Sequence, residues 1–176
     1  DYDVTVSAIF SKPVSGDVTI GSGSNTNEYL PTHSWYKYTL TQQIYKPSEL
    51  GIAGTITKVA FKVANSKSTT RTIDIYMSHT NTNAFSGNSA WIAQGDSYRV
   101  FSGSVTFNAS GWTTITLNTP FEYNGTSNLL LTVDDNTGSY VSGQNNSPTF
   151  YVYATNGNTS LGKYNDNTNY DPTSTT

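Results

Sequence analysis

Apolar residues recur at every second position through most of this chain, and no stretch longer than a turn or two places them at helical spacing. A period of two is the signature of half-buried β-strands, because successive side chains of a strand leave on opposite faces. In "TITKVAFKV" the residues Val59, Phe61 and Val63 share one face, with Lys58, Ala60 and Lys62 on the other. In "RTIDIYMSH" the inward set is Ile73, Ile75 and Met77, and the same grammar continues through Val105 and Phe107, Ile115 and Leu117, and Leu129, Leu131 and Val133. Gly103, "SGW" and "NGT" punctuate these runs as turns. The pattern predicts an all-β protein: a two-sheet antiparallel β-sandwich of the jelly-roll type. The one helix candidate is "KPSELG", where Ser48 is placed to cap a single turn that Gly51 ends.

At 176 residues the chain is long enough for one domain with a sizeable core. Residues 1–16 read as a lone strand and a Lys-Pro-Gly break belonging to a preceding module, residues 17–170 as the sandwich, and residues 171–176, "DPTSTT", as the start of a linker. Charged residues make up only 12% of the chain and aromatics 13%, with 13 Tyr, so Ser, Thr, Asn and Gly must form the surface. That balance suits an extracellular β-protein that recognises neutral ligands. The formal charge is -3 and the nine Lys and Arg are scattered, which argues against nucleic acid as a partner. No apolar run approaches the length of a membrane span, so no membrane insertion is expected, and the module is expected to act as a monomer. With no cysteine there is neither a disulfide framework nor a thiolate metal site.

Three constellations could carry function. The first is "NLLLTVDDNTGSY", in which an apolar strand runs into adjacent carboxylates. If Leu129, Leu131 and Val133 point inward, parity sends Asp134 outward beside Thr132, and Asp135 falls where the strand must end. Side-by-side carboxylates repel unless something positive compensates. A structural Ca2+ held by Asp134, Asp135 and Asn136 would do so, although the spacing fails the EF-hand pattern, and a solvated Asp-Asn turn is the alternative. The second is "YNDNTNYD", where Asn165, Asn167, Asn169 and Asp171 alternate and would share a face of an extended strand. The third is aromatic. "HSWYKYTL" puts Trp35 on one face of an expected strand and Tyr36 and Tyr38 on the other, Trp91 lies in a loop-like stretch, and Tyr140 stands next to the acidic run. Exposed rings stack on the apolar faces of pyranose sugars, whereas a Trp in a sandwich also serves as core, the role assigned here to Trp112. For catalysis there is little: His33 and His79 stand in no metal or nucleophile motif, and no spacing pairs Glu28, Glu49 and Glu122, so no enzyme is expected.

The blocks "QQIYKPSELGIAGTITKVAFKV", "RTIDIYMSHTNTNAF" and "GWTTITLNTPFEYNGTSNLLLTVDDNTGSY" together resemble a β-sandwich module that recurs in large multidomain secreted and surface proteins of Bacteroidetes, similar in layout to jelly-roll carbohydrate-binding modules. "DYDVTVSAIF" resembles the closing strand of internalin-B-type repeats. The resemblance implies a secreted or cell-surface location, neighbouring domains in the same chain, and a non-catalytic role. The expected function is to tether a larger enzyme or adhesin to a polysaccharide, with Trp35, Tyr36, Tyr38, Trp91 and Tyr140 as binding rings. A structural or adhesive spacer with no small-molecule site is the alternative.

Overall fold

A computed structural model describes residues 4–12, 16–51 and 53–174, and among them the chain is nearly all strand. The strands are β1 (Val4–Val6), β2 (Ala8–Lys12), β3 (Gly16–Ile20), β4 (Thr26–Asn27), β5 (Tyr38–Tyr45), β6 (Gly54–Val63), β7 (Thr69–Thr80), β8 (Arg99–Phe107), β9 (Gly111–Tyr123), β10 (Asn128–Asp135), β11 (Phe150–Ala154) and β12 (Ser160–Asn165). One sheet runs β12-β5-β10-β7-β8, and the other runs β1-β11-β6-β2-β3 with β9 along β6 and β4 on β11. Every pairing is antiparallel, as the alternation predicts. The described strands, seven in one sheet and five in the other, exceed the eight of a minimal jelly roll, and their neighbours establish the sandwich rather than that particular winding.

The core between the sheets is built from the inward parity of each strand: Val59, Phe61 and Val63 from β6, Ile73, Ile75 and Met77 from β7, and Leu129, Leu131 and Val133 from β10. Ile56 is also in this core although its parity is opposite to that of Val59. The register shift between Ile56 and Lys58 reconciles them, because one inserted residue reverses which side chains face inward.

A second, smaller core lies on the other face of the five-stranded sheet. There Leu40, Ile44, Leu130 and Leu161 are covered by Phe85 and Trp91, with Tyr170 packed against them. Hence all eight residues of β10 are buried, and the continuous run Leu129-Leu130-Leu131 serves two cores at once. The covering loop is fixed by Gln42, whose amide donates to the Ile92 carbonyl at 2.6 Å and accepts the Ile92 N–H at 3.0 Å.

Two boundaries differ from expectation. Val6, Ala8 and Phe10 are buried in the main core, and β2 pairs with both β6 and β3, so the described part of residues 1–16 belongs to this domain rather than to a preceding one. At the other end the Gln94 N–H donates to the Pro172 carbonyl at 2.9 Å, which makes the start of "DPTSTT" part of the outer cover. The helical turn forms at Pro47–Leu50 (α1) and ends at Gly51 with φ 74°, but Glu49 rather than Ser48 caps it, accepting the Lys46 N–H at 2.7 Å.

Candidate aromatic binding site

The strand β5 begins only at Tyr38, and residues 34–37 form a turn in which the Tyr36 N–H donates to the His33 carbonyl at 3.0 Å. Trp35 and Tyr36 therefore do not stand on opposite faces of a strand. They lie together, with ring centroids 5.6 Å apart at 68°. Tyr164, the penultimate residue of β12, packs on Tyr36 at 4.3 Å, and Tyr29 stacks on Tyr164 at 5.8 Å and 18°. Beneath them His33 is buried, edge-on to Tyr29 at 4.6 Å and to Tyr164 at 4.8 Å. Neither ring nitrogen of His33 has a hydrogen-bond partner, and burial pulls its pKa down to about 4, the nearby Arg71 adding to the effect and Glu28 opposing it.

Trp35, Tyr36, Tyr140 and Asp166 line one open depression of about 330 Å³. Trp35 is 36% exposed and Tyr140 55%, so ring surface is available at two points of its wall. Of the five rings singled out in the sequence, these three come together. Tyr38 is half-buried on β5, its hydroxyl facing the Gly138 loop rather than the depression. Trp91 is only 9% exposed, packed into the outer core with Lys163 Nζ 4.6 Å above its ring centroid, so it is a core residue and not a platform.

The acidic pair is resolved differently from a cation cage. Strand β10 continues through Asp135, which leaves Asp134 and Asp135 on opposite faces of the sheet. Asp135 is fully buried, and its Oδ2 accepts from Arg71 Nε at 2.7 Å while Oδ1 accepts the Thr137 N–H at 3.1 Å and the Thr137 hydroxyl at 2.5 Å. The compensating positive charge is a guanidinium. Asp134 faces the outer layer, 3% exposed, with Oδ1 unpartnered, and burial pushes its pKa up to about 7, with Asp74, Asp135 and Asp171 adding to the rise and the Asn136 amide opposing it. Asn136 instead receives a hydrogen bond from the Asn169 amide. Asp134, Asp135 and Asn136 thus do not converge, and among the described residues no group of three or more His, Asp or Glu side chains could hold a metal ion.

The alternating row after Tyr164 is not a strand face either. Strand β12 stops at Asn165, whose Oδ1 accepts the N–H groups of Asn167 at 2.8 Å and Thr168 at 2.7 Å in a local turn. The residue of that run that reaches the depression is Asp166, which accepts the Lys37 N–H at 3.0 Å.

Arg71 is the organiser of the site. Besides Asp135, its guanidinium donates to the Ser139 carbonyl at 2.7 Å and to the Tyr36 carbonyl at 2.7 Å. Two further bonds join the same loops: Gly138 N–H to the Lys37 carbonyl at 3.1 Å, and Val141 N–H to the Ser34 carbonyl at 2.8 Å. The turn that carries Trp35 and Tyr36 is thereby tied to the loop that carries Tyr140, and one buried charge pair holds both. Sequence reading passed over Arg71, Tyr164 and Asp166. For Arg71 the signal was present, since it shares the parity of Ile73, Ile75 and Met77.

A larger polar cleft of about 560 Å³ opens between Gly21 and Tyr153, where the Tyr153 hydroxyl donates to Glu49 at 2.6 Å. Its one ring is half-buried and already bonded, so the smaller depression, with exposed rings, is the better candidate for ligand stacking. Comparison of the chain with protein-family models, with curated proteins and with solved structures gives no match.

Proposed function

We propose that this chain is a non-catalytic carbohydrate-binding module of a secreted or cell-surface bacterial protein, with a sandwich of the jelly-roll type, and that it tethers neighbouring domains to a polysaccharide. The observation that carries this reading is the convergence of Trp35, Tyr36 and Tyr140 with the Asp166 carboxylate around a single open depression. Aromatic faces stack on the C–H faces of pyranose rings, and a carboxylate or hydroxyl beside them accepts or donates to sugar hydroxyls. A depression this shallow buries little of a ligand, so single-site affinity is expected to be weak and to rise when several modules or several sugar repeats act together. The low proportion of charged residues and the abundance of Asn, Ser and Thr support the same extracellular setting.

The test is a pull-down with insoluble polysaccharides followed by titration with soluble oligosaccharides, using the wild type, Trp35→Ala and Tyr140→Ala. Loss of at least about tenfold in affinity in each variant, equivalent to about 1.4 kcal/mol, with unchanged melting is the expected result. Retention of no glycan by the wild type would move the chain to a structural or adhesive spacer, and retention unchanged in both variants would place the binding surface away from this depression.

A further inference from the structure

The charge in the wall of the depression is negative. Asp166 is the only ionisable group in its wall besides the tyrosines, and no Lys or Arg side chain forms an ion pair with it among the described residues. Its single hydrogen bond, from the Lys37 N–H to Oδ1, neutralises none of its charge. Glu28 adds a second negative group close enough to act on Tyr29, Tyr36 and His33. Two cationic groups beneath the rings are silenced. His33 is buried beneath the rings and stays neutral, and Arg71 is committed to Asp135 and to backbone carbonyls on the inner side. Aromatic faces themselves carry negative potential, and attract ammonium groups best where a carboxylate stands beside them.

Resting on the carbohydrate reading above, we propose that the Trp35–Tyr36–Tyr140 depression selects positively charged amino sugars, with the ligand's ammonium group held between the aromatic rings and the Asp166 carboxylate. A pyranose stacked on an exposed ring presents its equatorial substituents at the rim of that ring. In this site Asp166 lines the same depression as the rings. Neutral sugars gain only the stacking, and uronic or sulfated sugars meet repulsion from Asp166 and Glu28. Because the site is open to solvent, the contribution of the charge is modest, a preference of about tenfold at low salt.

The experiment is titration calorimetry of the full chain at mildly acidic pH, where an amino-sugar amine is an ammonium, with three hexasaccharides: β-1,4-linked glucosamine, N-acetylglucosamine and glucose. The glucosamine oligomer is expected to bind about tenfold more tightly than the other two, and added salt to erase the difference. Asp166→Asn keeps an acceptor for the Lys37 N–H, and is expected to melt like the wild type and to lose the preference while retaining affinity for the neutral oligomers. Equal affinity for all three oligomers, with Trp35→Ala abolishing each, would overturn the charge selectivity and leave carbohydrate binding standing. No binding of any oligomer would overturn both. Tighter binding of a lysine-rich peptide than of the glucosamine oligomer, competed away by none of the three sugars, would replace the amino sugar with a protein partner.

Discussion

Arg71 and Asp135 sit at 2% and 0% exposure, so each is tolerable only because of the other. Arg71→Ala strands a buried carboxylate and frees the carbonyls of Tyr36 and Ser139, with an expected loss of about 3–5 kcal/mol in urea unfolding together with loss of ligand binding. The double change Arg71→Met with Asp135→Leu should recover much of the stability and none of the binding, since the aromatic loops lose their shared anchor. A stability loss in the single variant without effect on binding would show that the loops hold themselves. Asp134 and His33 pull the pH dependence in opposite directions. The carboxyl of Asp134 is raised from 3.8 to about 7, so between those values the folded state holds a proton that the unfolded chain has released, and stability falls as pH rises through the window. The imidazole of His33 is lowered from 6.5 to about 4, so its contribution is present above 6.5 and is lost as pH falls. Asp134→Asn is therefore expected to be stabilising near neutral pH and neutral at pH 4, so that the variant's melting temperature gains on the wild type's as pH rises from 4 to 7. Both ends of the ion pair were legible as parity, because Arg71 continues the inward set of β7 and Asp135 that of β10. What parity does not reveal is that the outer face is roofed, which is why Asp134 reads as solvated in sequence and is buried in the fold.

At the scale of elements, the two tryptophans singled out in the sequence separate cleanly. Trp91 joins Phe85 over Leu40, Ile44, Leu130 and Leu161, so Trp91→Ala should cost about 3–5 kcal/mol, whereas Trp35→Ala, at an exposed position, should leave the unfolding midpoint almost unmoved. Urea melts of the two variants decide it, and equal losses would place Trp35 in the core as well. Strands β6, β7, β8, β9 and β10 were visible in advance because each carries a one-sided or two-sided apolar run that matches the pleat. The turn at residues 34–37 was not, because "HSWYKYTL" alternates as a strand would, and local pattern holds no record of the Arg71 and Asp166 contacts that bend it. The run at residues 1–10 reads as a lone strand of a neighbour because the partners of β1 and β2, namely β11, β3 and β6, are set by tertiary pairing alone.

For the molecule as a whole, Asp134 and Asp135 leave opposite faces of β10 and Asp135 is bonded to Arg71, so melting curves in EDTA and in calcium are expected to coincide. A large calcium-dependent shift would require ligands other than Asp134, Asp135 and Asn136. The strand order also has a temporal consequence. Strands β5 and β7 are not neighbours, and β10 joins the β12-β5 pair to the β7-β8 pair, while β1 waits for β11 and the Thr5 hydroxyl meets that of Thr159 at 2.6 Å. A chain emerging N-terminus first, from a ribosome or through a narrow export channel, therefore presents two separate edges until residues 128–135 arrive to zip them together. Closure of the five-stranded sheet is thus deferred to those residues, whereas β3, β2, β6 and β9 of the other sheet can pair before they appear.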